Sequence, residues 1–285
     1  VSQAVLVTGA STGIGRACAL RLAAAGFRVF AGVRRDEDGD SLRADSGSRM
    51  SPIRLDVADE ASIDAAVETV RSELDGTGLL GVVNNAGIAV SGPIEFVPLE
   101  DWRRQFEVNV VGLVAVIQRF LPLLRESGGR IVNMSSVGGR FSQPFVAPYV
   151  ASKHAVEAIS DALRIELRPW RIHVVLIEPG SVATPIWNKG LDEARAKVAE
   201  APPQLMQLYG GVIRRMTEIA RREGERGVPP ERVADAVFKA LTARTPRTRY
   251  VVGTDARAMV TVRRVLPDRW RDQIIVRYAG IAKER

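Results

Sequence analysis

Three side chains in the middle of the sequence have types and spacing suited to moving a proton: Ser136, Tyr149 and Lys153. Residues four apart share one face of a helix, so Tyr149 and Lys153 can present a phenol and an ammonium to one site. A free tyrosine titrates near ~10 and is a poor base at neutral pH. A cation held ~4 Å away at an effective dielectric of ~20 favours the phenolate by ~4 kcal/mol, about three pKa units. The expectation is a tyrosine drawn toward working pH, where one group can donate and accept a proton. By itself the pair also fits a helix start with an exposed lysine, so the other motifs decide.

Such a pair needs a scaffold, and the sequence describes one. The apolar run Val5-Leu6-Val7 leads into Thr8-Gly9-Ala10-Ser11-Thr12-Gly13-Ile14-Gly15, followed by an amphipathic stretch from Arg16 to Ala25. Strand, glycine-rich turn and helix in that order form a phosphate cradle: the backbone approaches closely and the helix N-terminus offers N–H donors. Further strands are expected at Arg28–Val33, Ile53–Leu55, Leu80–Val83, Arg130–Met134, His173–Ile177 and Tyr250–Val252. Helices are expected at Ala61–Leu74, Trp102–Arg125, Tyr149–Leu167 and Pro229–Ala243. Repeated βα units with apolar strands imply an α/β fold, a single doubly wound parallel sheet of Rossmann type, with the site at the strands' carboxyl ends. Gly9–Gly15, Asp56, Asn84–Gly87, Ser136 and Pro179–Thr184 all fall at that edge.

The second strand ends at Val33, where NAD-binding folds carry an acid for the ribose 2′-hydroxyl. Arg34 and Arg35 follow, and a guanidinium there can pair with a 2′-phosphate. Two solvated arginines would give the same pattern, and Asp36 lies close by. Arginine is common throughout: 35 of the 40 basic residues, in a chain of 285 with net charge +7. The charges are scattered among acids, with no aromatic-interleaved basic stripe, so nucleic acid is not an expected partner. Cys18 is the lone cysteine, which excludes an intrachain disulfide and gives no support for an oxidising compartment. No charged n-region or apolar h-region opens the sequence, no apolar run reaches the ~18 residues of a bilayer span, and a cytoplasmic setting is expected. His154 and His173 have no partner at ligand spacing, so no metal site is expected.

Six ordered motifs, namely Thr-Gly-x3-Gly-x-Gly at 8–15, Asn-Asn-Ala-Gly at 84–87, Asn109, Ser136, Tyr-x3-Lys at 149–153 and Pro-Gly-x3-Thr at 179–184, resemble the short-chain dehydrogenase/reductase family over residues 4 to about 253. The resemblance implies catalytic roles for Asn109, Ser136, Tyr149 and Lys153. Tyr149 would be the general acid/base, Lys153 would lower its pKa and hold the nicotinamide ribose, and Ser136 would bind the substrate oxygen. Ser135 has the wrong spacing to Tyr149. Asn109 would hold a water linking Lys153 to solvent. The cofactor set it implies is Gly9, Ser11, Thr12, Gly13, Ile14, Gly15, Arg34, Asp56, Val57, Asn84, Ala86, Gly87, Tyr149, Lys153, Pro179, Gly180, Val182 and Thr184. Within it Asp56 would contact the adenine, Asn84 the nicotinamide side, and Val182 and Thr184 the carboxamide. Val33 followed by Arg34 resembles the NADP-preferring members, and homodimers or homotetramers are common in the family.

Past Thr184 the strand pattern is interrupted. A helix at about 203–222, with Leu205, Leu208, Tyr209, Val212, Met216 and Ile219 at helical spacing, would form a substrate lid within about 185–228 of a single domain spanning 1–285. Residues of about 254–285 extend the minimal fold. The tail Pro246-Arg247-x-Arg249-Tyr250-x2-Gly253-x-Asp255-Ala256 resembles the retinol and 17β-hydroxysteroid dehydrogenase branch. Ile88, Val90, Phe141, Phe145, Val146, Ile186 and Trp187 flank the catalytic set and suggest an apolar cleft, with Arg140 and Lys189 the nearest cations in sequence. The expected activity is NADP(H)-dependent interconversion of a small lipophilic alcohol and its carbonyl. An acyl-carrier-protein ketoreductase and a non-catalytic nucleotide sensor are the alternatives.

Overall fold

Strands of four to seven residues built mainly from valine, leucine and isoleucine are apolar on both faces, and here helices cover both. The computed structural model describes residues 3–74, 78–185, 190, 192, 195, 196 and 198–281. The strands are β1 (Ala4–Val7), β2 (Arg28–Val33), β3 (Met50–Arg54), β4 (Gly81–Asn84), β5 (Arg130–Met134), β6 (His173–Pro179) and β7 (Arg249–Val252). They form one sheet in the order β3-β2-β1-β4-β5-β6-β7. Every pairing is parallel. The helices α1 (Gly13–Ala24), α2 (Asp36–Ser46) and α8 (Pro230–Thr242) lie on one face, and α3 (Glu60–Glu73), α5 (Gly112–Ser127) and α6 (Ala147–Glu166) on the other. Phe120, Leu124, Ile63 and Val156 fill one core layer, and Leu22, Leu42, Val237 and Leu241 the other.

Several boundaries differ from the sequence expectation for identifiable reasons. β3 begins at Met50, three residues early, because Pro52 is tolerated on this edge strand. α2 is an unexpected helix: Gly39 and a polar composition hide it, while Asp36, Glu37 and Asp38 favour its N-terminus and Leu42 anchors it. The single helix expected at Trp102–Arg125 is α4 (Leu99–Phe106), a five-residue π-turn (Glu107–Val111) and α5. That continuous stretch, Leu99–Ser127, amends the membrane reading as well. Its most apolar window has mean hydropathy 1.6, enough by length and composition to cross a bilayer, and 44% of the window is buried inside the protein. The helix expected near 203–222 is α7 (Pro203–Arg226), and the extension folds into α9 (Thr254–Val265) and α10 (Asp268–Ala279).

A buried polar chain ties the sheet to α6. Asn84 Nδ2 donates to Asn133 Oδ1 (2.9 Å), Asn133 Nδ2 to Ser160 Oγ (2.8 Å), and Ser160 Oγ to the Val156 carbonyl (2.7 Å). Asn133 and Ser160 are fully shielded from solvent. Ser160→Ala leaves the Asn133 amide without its acceptor and should lower the unfolding free energy by about 1–3 kcal/mol. An unchanged urea midpoint would contradict this.

Candidate active site

The helix α6 starts with Pro148 in its first turn, a residue whose fixed φ suits that position. Tyr149 follows, and Lys153 is one turn further along the same face. β5 ends at Met134 and delivers Ser136 opposite them, ahead of a short 3-10 turn (Val137–Gly139). Ser136 Oγ accepts the Gly138 N–H (3.1 Å) and hydrogen-bonds the phenol of Tyr149. Lys153 is buried, and its ammonium donates to the Met134 carbonyl (2.8 Å).

The electrostatics differ from the sequence expectation. Burial pushes the Tyr149 phenol up from its ordinary value, and the Ser136 hydrogen bond only partly opposes this. The Lys153 ammonium lies 5.8 Å from the centre of the Tyr149 ring. Lys153 is the group that moves toward neutrality: burial brings it down to about 8, against the pull of Glu157 one turn on. At pH 7 the pair is therefore a neutral phenol and an ammonium, which is the protonation state of a general acid.

Asn109 is in the π-turn, and its side-chain amide is fully engaged. Oδ1 accepts the Ile88 N–H (2.8 Å), while Nδ2 donates to the Ile88 carbonyl (3.0 Å) and Ser152 Oγ (3.1 Å). Gln105, one turn earlier and fully buried, repeats the grip: Oε1 accepts Val90 N–H (2.7 Å) and Nε2 donates to the Ile88 carbonyl (2.9 Å). Ser152 Oγ donates to the Tyr149 carbonyl (2.7 Å). The sequence reading missed Gln105 and Ser152. The i, i+4 spacing of Gln105 and Asn109, which puts two carboxamides on one helix face, was the available signal.

At the nucleotide end, Gly9 and Gly13 take φ of +63° and +57°. A Cβ on Gly9 would lie 2.9 Å from Ala86 Cα, and one on Gly13 would lie 3.3 Å from Thr184 Cβ. The loop is thus packed against both Asn84–Gly87 and the segment after β6. A Cβ on Gly87 would lie 3.2 Å from Asn109 Oδ1. Thr8 Oγ1 accepts the N–H groups of Asn85 and Ala86 (3.0 Å each), and Asn85 Nδ2 donates to Thr8 and Gly9 carbonyls (3.0 and 3.1 Å). Asn85, absent from the expected set, is the clamp. Thr12 caps α1 by position but makes no side-chain cap bond, and no acid occupies the first turn, where Ile14 and Gly15 follow Gly13. An N-terminus left open this way, beside Ser11 and Thr12, suits a pyrophosphate.

Three expected cofactor contacts point elsewhere. The Asn84 side chain turns to Asn133, Val57 packs into the core under α5, and Val182 is buried while bridging to Val228. Val57 and Val182 can reach a nucleotide only through the main chain, because their side chains are packed, whereas Asn84 Oδ1 is buried with no hydrogen-bond partner among the described residues. Gly180 and Ser181 follow Pro179 at the end of β6: the Gly180 N–H bonds Val252 (2.9 Å), and the Ser181 N–H bonds the Asp255 carboxylate (2.8 Å). Arg34 and Asp56 border one cavity of about 300 Å³ at the ends of β2 and β3.

An aromatic cluster includes Phe145, four residues before Tyr149. Tyr209 of α7 packs edge-on against Phe96 (5.9 Å) and Phe145 (6.0 Å), and its hydroxyl donates to Glu95 (2.9 Å). Phe145 holds φ +66°, unusual for a bulky residue, and its carbonyl accepts the Gly92 N–H (2.7 Å). Other expected wall residues lie outside it. Phe141 packs with Val137 and Ala256 beneath α9 and α10, and Leu208 projects into solvent. Arg140 pairs with the fully buried Glu178 (3.3 Å), so its charge is directed away from a substrate. Ile186, Trp187 and Lys189 lie outside the described residues.

The profile of the short chain dehydrogenases matches residues 3–195. The chain belongs to that family. Among relatives of this dehydrogenase, an NADPH-dependent 3-dehydrocapnine reductase of Ornithobacterium rhinotracheale is 37% identical over 274 residues, covering 94% of each chain. Retinol dehydrogenase 5 of Mus musculus is 35% identical, covering 95% of this chain and 87% of its own. The mitochondrial D-beta-hydroxybutyrate dehydrogenase of Rattus norvegicus is 39% identical, covering 87% and 76%. The dehydrogenase is thus an oxidoreductase of alcohol and carbonyl substrates with a nicotinamide cofactor, resembling retinol and 17β-hydroxysteroid dehydrogenases.

Two measurements test the site. Tyr149→Phe should reduce turnover to below a few per cent while nucleotide binding stays within about threefold; substantial residual turnover would remove the proton-donor assignment. The Lys153 ammonium is lost as pH rises through about 8. Accordingly kcat/KM for the nucleotide, which reports the free enzyme, should fall across that pH. A profile flat to pH 10 would contradict it.

Proposed function

We propose that this dehydrogenase uses NADP(H) to interconvert a lipophilic alcohol and its ketone or aldehyde, of steroid, retinoid or long-chain type. The observation that carries the reading is a neutral Tyr149 phenol beside Ser136 and a buried Lys153 ammonium. The nicotinamide, when bound, supplies or accepts the hydride. In the reducing direction Ser136 Oγ and the Tyr149 hydroxyl hold the carbonyl oxygen. Tyr149 would give its proton to that oxygen to complete the alcohol when a bound nicotinamide supplies the hydride. The Lys153 ammonium offsets the charge left on the phenolate and, with Tyr149, orients the ribose. Asn109, Gln105 and Ser152 act as positioning residues that fix the turn carrying Tyr149.

Preference for NADP(H) is supported by Val33 in place of a ribose acid and by Arg34, which forms no ion pair among the described residues. The NADPH dependence named for one relative agrees with it. Charge-assisted contacts of this kind are worth ~1.5–3 kcal/mol, so NADPH should bind about ten- to hundredfold more tightly than NADH. Equal dissociation constants would defeat the preference.

The substrate class rests on Phe96, Phe145 and Tyr209, since apolar burial stabilises a ligand by roughly 25 cal/mol per Å². Relatives are named both for retinol and for hydroxybutyrate, so chain length is the decisive variable. Across ketones of rising length, kcat/KM should climb until the pocket fills. A flat series, or preference for small hydroxy acids, would overturn the lipophilic class and leave the reaction type standing. For assembly we propose a homodimer or homotetramer through α4–α6, where Leu99, Val111 and Ile165 are exposed. Light scattering that returned only the 31.0 kDa protomer would contradict it.

A further inference from the structure

β2 and β3 are paired with Val33 opposite Arg54, so Arg34 and Arg54 leave the sheet together at its carboxyl edge. Both line the cavity of about 300 Å³ whose remaining walls are Asp56, Asp59, Ser62 and Ala65. That volume is at the lower end of the ~300–1,000 Å³ typical of small-molecule sites. Both guanidinium groups are exposed, and neither forms an ion pair among the described residues. Arg35, next in sequence, is different: its Nε and Nη2 hold Asp38 at 3.1 and 3.0 Å.

The two carboxylates in the cavity are occupied by backbone. Asp56 Oδ1 accepts the Ala58 N–H (3.0 Å), and Asp59 Oδ1 caps α3 by accepting the Ala61 N–H (3.0 Å). They leave both arginines without a partner, yet they still set the local charge. With Arg34 alone the walls would carry one negative charge in excess and would repel an anion. Arg54 cancels that excess and adds a second planar fork of donors.

We propose that Arg54 is a specificity-determining residue that joins Arg34 in holding the 2′-phosphate of a 2′-phosphorylated adenosine. A phosphomonoester carries ≈ −1.5 to −2 charge near neutral pH. With one guanidinium the walls would repel that charge; with two, emerging from adjacent strands, they are neutral and offer it two forks of donors. The inference rests on the NADP(H) reading and adds to it a residue from β3, where the dinucleotide fingerprint carries no specificity position.

The test is calorimetric titration with NADPH, NADH, 2′,5′-ADP and 5′-AMP, none of which needs turnover. Arg54→Ala should raise the Kd for NADPH and 2′,5′-ADP about tenfold and leave NADH and 5′-AMP within about twofold. Arg54→Lys should recover part of the loss as a point charge, and 0.5 M salt should shrink the difference between wild type and Arg54→Ala. Arg35→Ala, which removes a guanidinium already paired with Asp38, should change none of the four constants. Equal weakening of all four ligands by Arg54→Ala, or no weakening, would overturn the assignment. Failure of the underlying reading appears separately, as wild-type protein that does not distinguish NADPH from NADH. If wild type discriminates and Arg34→Ala loses the preference while Arg54→Ala keeps it, only the role of Arg54 falls.

Discussion

A desolvated ammonium sets the constraints on this molecule. Removing a lysine from water is costly unless its protons find acceptors. Here the Met134 carbonyl at the end of β5 supplies one. That bond fixes the distance between α6 and the strand that delivers Ser136, so the catalytic pair is positioned by the same contact that makes burial tolerable. Burial also lowers the affinity of Lys153 for its proton and raises the phenol's, which separates the two protonation states at neutral pH.

Polar networks on either side keep that arrangement rigid. Below, Asn84, Asn133 and Ser160 connect β4 and β5 to α6. Above, Gln105 and Asn109 hold the 88–90 segment against Ser152, which bonds the carbonyl of Tyr149. Behind, Arg249 bridges Glu157 (3.0 Å) and Glu178 (3.1 Å), and Arg140 takes the other side of Glu178. Burial and the nearby Glu157 raise Glu178 above the usual carboxylate range, and the two arginines oppose this. Pairing of this kind is what allows a carboxylate to be fully buried under the sheet.

The C-terminal extension is coupled to the nucleotide edge through Asp255, whose carboxylate receives the Ser181 N–H and lies against Gly180 and Gly253. No side chain beyond hydrogen would fit at those glycines without displacing it. The helix α7 is joined to Glu95 through the Tyr209 hydroxyl and to the extension through Tyr278, whose hydroxyl donates to Glu223 (2.9 Å). The tail motif at 246–256 is therefore packed against the segment that follows β6.

Local chemistry made much of this legible from the sequence. Glycines at φ near +60°, apolar strands, and the Tyr149–Lys153 spacing follow from short-range rules, and the parallel sheet follows from their alternation. The sequence therefore determined the fold class, and its six ordered motifs, through the family resemblance, determined the oxidoreductase chemistry. Side-chain direction was not legible, because it depends on partners distant in sequence. Asn84 turns to a residue 49 positions away, Asn109 to one 43 away, and Arg140 to one 38 away. Phe141 and Leu208, both apolar and near the site in sequence, end in a separate cluster and in solvent. Only the tertiary structure decided which group titrates near neutrality, since desolvation is set by everything packed around Lys153. It also brought Arg54 beside Arg34, because strand pairing joins residues 20 apart.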